Sequence, residues 1–216
     1  MDQDLERVRS ALMQLQQSPH RLRVFGSESH GFRLNPPLTG REVQQFEYAH
    51  DVVLPVDYRA FLIQVANGGA GPYHGLFKLG EMDDSHGHAR WRENEGLIGT
   101  LSKPFPHSEP WNDLNGLPDE DGDETAWKAF DARYRSAENV NGAIPICHRG
   151  CALRQWLVVT GPEAGHVWCD DRADYKGLYP LLQHDQKRVT FLSWYRTWLD
   201  DVLRQLQAAD RSHRKA

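Results

Sequence analysis

Long hydrophobic runs are missing from this 216-residue chain. No stretch approaches the roughly 18 consecutive apolar residues of a spanning helix, and the first 15 residues, MDQDLERVRSALMQL, are charged and amphipathic where a secretory leader would be apolar. Cysteine is scarce: Cys147, Cys151 and Cys169 form an odd, sparse set, which argues against a secreted disulfide framework and suits a reducing compartment. A cytoplasmic, soluble protein is therefore expected. Positive charge is not in excess, with 25 Lys plus Arg against 30 Asp plus Glu and a formal net charge of -5. Direct binding to nucleic acid or to an anionic membrane needs clustered basic residues, so neither is expected. The chain also lacks a Gly-x-Ser-x-Gly elbow, a phosphate-cradling loop ending in Lys-Ser/Thr, a dinucleotide fingerprint and a His-Glu-x-x-His pair. These absences favour a protein that is not an enzyme and carries no cofactor.

What the chain has is bulk for a core: 39% hydrophobic residues, with 7 Trp, 7 Tyr and 8 Phe. Leu5, Val8, Leu12 and Leu15 share one stripe and predict a helix over residues 2 to 17. Thr39-Gly40-Arg41-Glu42 has capping-box spacing and predicts a helix from about Gly40 to His50, with Val43, Phe46 and Tyr48 or Ala49 inward. Leu54-Pro55 opens the next, with Pro55 at the first helical position and Tyr58, Phe61, Leu62 and Val65 facing the core. Asn67-Gly68-Gly69 supplies left-handed residues to end it, and Gly71-Pro72 turns the chain.

A second block follows a change of period. Leu76 to Leu79 is a short strand candidate, and Thr125 to Tyr134 a short helix burying Trp127, Phe130 and Tyr134. Ala143 to Cys147, Gln155 to Thr160 and His166 to Asp170 are strand-like, and the turn Gly161 to Gly165 marks the last two as a hairpin. Thr190 caps a final helix whose Phe191, Trp194, Tyr195, Trp198, Leu199, Val202, Leu203 and Leu206 recur at three and four residues. Strands grouped between helical blocks predict an α+β fold, with helices packed on a central, mainly antiparallel sheet. N-terminal helices and a long aromatic C-terminal helix flank it.

Two constellations could hold metal. Cys147, His148, Cys151 and Cys169 are soft ligands, but their spacing is not that of paired zinc ligands, and buried thiols acting as small hydrophobes explain them better. His86 and His88, after Asp83 and Asp84, are weak candidates to chelate a divalent ion, because two histidines one residue apart on an extended chain face the same way. Charge is the sharper signal. Residues 81 to 141 carry 14 acids against 6 bases, densest at Asp119, Glu120, Asp121, Asp123 and Glu124, while residues 204 to 216 carry 4 bases and 1 acid. Such a run is a solvated loop or a surface that attracts a basic partner.

Leu54 to Glu81 (LPVDYRAFLIQVANGGAGPYHGLFKLGE) resembles the signature of the SUKH superfamily, the Smi/Knr-type domain: Leu-Pro, an aromatic, a hydrophobic helix, Asn-Gly-Gly, then Gly-Pro and Gly-Leu entering a strand. Residues Ile144 to Leu181 resemble the later part of bacterial members, where Gly-Cys precedes a strand, a turn and a Val-Trp-x-Asp strand; the Phe-x-x-Trp-Tyr start of the last helix is also similar. The carrying residues are Leu54, Pro55, Tyr58, Phe61, Leu62, Asn67, Gly68, Gly69, Gly71, Pro72 and Trp168, all packing or turn positions. The resemblance implies one domain over residues 1 to 216, with a helical extension at 1 to 38 and an acidic insertion at 81 to 141 that the family pattern does not fix. It further implies an immunity-type protein that neutralises a cognate toxin by direct contact, or a regulator of the cell-wall-signalling kind. A basic toxin such as a nuclease would be steered to Asp113, Asp119, Glu120, Asp121, Asp123 and Glu124, with Trp111 as an anchor. The alternative from another class is a metal-dependent enzyme using His86 and His88.

Overall fold

The computed structural model describes residues 1–84, 87–90, 97–119, 121 and 123–213. Its helices are α1 (Asp2–Gln17), a single turn α2 (Ser27–His30), α3 (Gly40–His50), α4 (Val56–Gln64), α5 (Glu124–Tyr134) and α6 (Phe191–His213). Strands β1 (Glu81–Asp84) and β2 (Gly87–Arg90) form an antiparallel hairpin. Strands β3 (Ala143–Gly150), β4 (Leu153–Val158), β5 (Val167–Asp170) and β6 (Leu178–Pro180) form an antiparallel sheet in the order β3-β4-β5-β6. The α+β architecture is the one expected. None of the described helices is long and apolar enough to cross a membrane.

Sheet register explains the layering. Gln155 pairs with Cys147 and Cys169, and Cys169 with Tyr179, so these side chains share one face. With Leu157 and Val167 that face meets α1, α4 and α6 in the main core, around fully buried Tyr58, Phe61, Leu62, Phe191 and Tyr195. Burying each such side chain contributes about 1.5–3 kcal/mol. Tyr195 Oη is not wasted there, since it donates to Ala70 O at 2.6 Å. Asp57 of α4 accepts from Leu192 N at 3.0 Å and so caps α6, and Arg196 pairs with Asp4 of α1 at 2.7 Å.

The opposite face carries Trp156, Trp168, Val158 and Leu178. It is not left to solvent. Phe105 and Val140 pack on it, with Ile98 and Trp111 beside them, so part of the segment expected as an insertion forms a second layer over the sheet.

Several local expectations shift. Pro55 stands one residue earlier, as the N-cap of α4, and α4 ends at Gln64, before the Asn67-Gly68-Gly69 run. Those residues instead stitch chain segments together. Gly69, at φ +106°, bridges Leu34 and Leu76, and a Cβ there would lie 2.5 Å from Arg33 O. Asn67 Oδ1 accepts from Leu79 N at 2.8 Å, and Leu76 bridges Cys147 of β3. Val43 is buried as expected, but Tyr48 is 91% exposed.

Candidate partner-binding surface

The second layer is held by groups that the core face does not supply. Trp111 makes a two-bond bridge with Leu178 on the free edge of β6, N to O and O to N, each 2.8 Å. Gly177 makes that approach possible: at φ +77°, a Cβ on it would sit 2.0 Å from Trp111 O. From α5 to the sheet runs a column of rings. Phe130 lies 5.2 Å from Tyr134, Tyr134 5.5 Å from Trp111, Trp111 5.1 Å from His107, His107 5.3 Å from Phe105, and Phe105 4.9 Å from Trp168. Contacts of this kind are each worth about 0.5–1.5 kcal/mol beyond area burial. Tyr134 Oη also donates to Asn112 Oδ1 at 2.6 Å, and Asn112 Nδ2 to Tyr175 O at 2.9 Å.

A buried ion pair completes the mounting. Asp170 of β5 accepts from Arg172 Nε at 2.8 Å, from Arg172 Nη2 at 2.7 Å and from Trp156 Nε1 at 3.1 Å. Arg172 Nη1 then reaches Ser136 O at 3.2 Å, just beyond the end of α5. Burial depresses the His107 pKa and raises that of Tyr134, so the column stays uncharged near neutrality.

Of the acids named from the sequence, Asp113, Asp123 and Glu124 are tied to this layer through α5. From Glu109 to Glu124 there are seven Asp plus Glu and no Lys or Arg. Asp113 pairs with Arg133 of α5 and accepts from Asn115 N, contacts that hold its carboxyl below the usual range. Asp123 caps α5 by accepting from Ala126 N at 2.8 Å, and Glu124 pairs with Lys128 at 2.6 Å. Asp119 and Asp121 are exposed and make no ion pair among the described residues; Glu120 lies outside them. Trp111 is half-buried in its stack, so most of its ring serves the mounting. The exposed apolar side chains in this stretch are Leu114 and Leu117, each 37% exposed, across a turn closed by Leu117 N to Leu114 O at 3.0 Å. Sequence reasoning passed over both, although a Leu-Asn-Gly-Leu turn amid acids is the signal that finds them.

The other candidates fall elsewhere. His86 lies outside the described residues, and His88 stands opposite Asp83 in the β1–β2 register. Cys147 and Cys169 are buried, and Cys151 is exposed at the β3–β4 turn. Burial raises the Cys169 pKa, so it behaves as a thiol rather than a thiolate ligand. A groove of about 910 Å³ runs between α6 and the 181–189 loop, floored by Trp194 and Trp198 and flanked by exposed Phe25 and Leu182. No family model, curated protein or solved structure matches the chain.

Proposed function

We propose that this chain is a SUKH-type, non-enzymatic binding protein of the cytoplasm, an immunity-type domain that neutralises a cognate basic protein toxin by direct contact. The observation that carries this reading is the run of seven acids and no bases between Glu109 and Glu124, in which Glu109, Asp119, Asp121, Asp123 and Glu124 are exposed along with Leu114 and Leu117, beside a layer held to the sheet by Arg172, Trp111 and the ring column. A rigid mount matters, because a preordered surface avoids the entropic cost of ordering a loop on binding. Acids steer a basic partner and set its orientation, while the two leucines offer area that excludes water at the contact. A nuclease that must grip phosphates presents the complementary charge.

The test is capture by the tagged full-length protein from its native lysate, washed at low and high salt, followed by mass identification and reconstitution from purified components. The reading requires one basic protein at a fixed stoichiometry, released by salt, whose toxic activity falls when this chain is added. A partner that is acidic, or that keeps its activity in the complex, overturns it.

A further inference from the structure

A different set of elements lines a cavity of about 270 Å³ whose walls carry Arg33, Lys78, His30 and His74 together with one carboxylate, Glu81. Ser29 and His30 come from α2, Arg33 from the turn that follows it, and His74, Lys78 and Glu81 from the chain entering β1. The Leu34–Gly69–Leu76 bridges hold these segments together. His30 is 7% exposed. Its Nδ1 accepts from Phe32 N at 3.0 Å, which puts the ring proton on Nε2, and its ring stands edge-on to Phe32 and Trp198. That Nε2–H has no partner among the described residues. Burial holds the pKa of His30 down at about 4, so the group is a neutral, fixed donor near pH 7.

The charged walls are also underused. Arg33 is exposed and makes no ion pair or side-chain hydrogen bond among the described residues. Lys78 pairs with Glu81 at 3.4 Å, with 45% and 24% of the two side chains exposed, a surface contact of about 0–1 kcal/mol that a better anion can displace. His74 Nδ1 lies 3.1 Å from Ser29 Oγ. A guanidinium fork, an ammonium and an imidazole N–H lining one cavity are the donor types that bind an oxyanion, and the space admits one. We infer that this cavity binds a phosphate group, held by Arg33 and Lys78 with His30 Nε2–H as a third, neutral donor. A phosphate dianion offers more acceptor oxygens and a second negative charge, so it competes for Lys78 against Glu81 better than a carboxylate does.

The experiment titrates isotopically labelled full-length protein with inorganic phosphate at ionic strength held constant with chloride, following the Arg33 side-chain and the His30 and His74 ring resonances. Saturable one-site shifts at Arg33 and His30 are expected, with affinity at least tenfold weaker in Arg33→Ala and several-fold weaker in Lys78→Ala. Arg33 is exposed, so an unchanged urea midpoint checks that the variant is folded. A second arm with glycerol phosphate separates the sources: tighter binding assigns a phosphomonoester, equal or weaker binding free phosphate. Shifts no larger than chloride gives, unchanged affinity in Arg33→Ala, or acetate binding as tightly as phosphate would overturn the assignment.

Discussion

Replacing Arg172 by Met keeps most of the aliphatic stem and removes the guanidinium, so it isolates the charge-assisted contacts. Asp170 and Arg172 are 5% and 7% exposed. After the change Asp170 keeps Trp156 Nε1 and the Arg172 backbone N–H, at 3.1 and 3.2 Å, but loses both guanidinium bonds. Removing one partner of a buried pair costs about 3–5 kcal/mol, because the remaining charge stays desolvated, whereas removing both together is often close to neutral. Arg172→Met is therefore expected to cost about 3–5 kcal/mol, and Asp170→Asn a comparable amount. The double variant should cost well below the sum. Urea unfolding of the four proteins measures this coupling, and limited proteolysis of residues 97–119 and 123–141 reports separately on the Ser136 contact, which should open in Arg172→Met. Single costs below about 1 kcal/mol, or strict additivity, would refute the claim that this pair fixes the outer layer.

Two further outcomes follow from the geometry. Gly177→Ala puts a Cβ 2.0 Å from Trp111 O at a left-handed φ of +77°, so it should destabilise the protein and expose the outer layer to protease while sparing the α1–α6 side; wild-type protection would contradict the bridge. His30 has its folded pKa lowered from 6.5 to about 4 by desolvation, opposed by Glu28 and aided by His74. The unfolded chain then takes up that proton first. Its contribution is complete above about pH 6.5, and up to about 3 kcal/mol is lost as pH falls to about 4. Chemical unfolding of wild type and His30→Phe across this range should show a shallower acid limb in the variant, and parallel limbs would count against the burial argument.

Local chemistry was the legible part of the fold. The Thr39–Glu42 capping box marks α3 at both levels because Thr39 Oγ1 accepts from Glu42 N and Glu42 returns a bond to Thr39 N, all within four residues. The α1 stripe, Thr190 and the β4–β5 turn are local in the same way. Contacts between distant segments were not legible. Trp111 joins β6 through backbone atoms, which carry no sequence signal, and the acids around it read as a solvated loop. Tyr48 followed the helical period but stands beyond the packed face. The acids of the candidate surface were visible by charge alone, whereas the ring column and the Arg172 clamp that mount them depend on tertiary packing. The cavity at His30 was hidden for a further reason: its donors come from separate segments rich in Gly, Ser and His, which sequence reading treats as turns.

The central claim is that the Glu109 to Glu124 strip recognises a basic partner. Its most direct measurement is the association rate of the captured partner with wild type and with Asp119→Asn, Glu120→Gln, Asp121→Asn, Asp123→Asn and Glu124→Gln combined, at several salt concentrations. Asn at position 123 retains an N-cap acceptor for α5, so the variant changes charge with the helix start preserved. A drop of about 10- to 100-fold at low salt, a flatter salt dependence and weaker toxin neutralisation are predicted, with Phe25→Ser in the groove leaving all three unchanged. Equal rates and equal salt slopes for wild type and the neutralised variant would contradict the account.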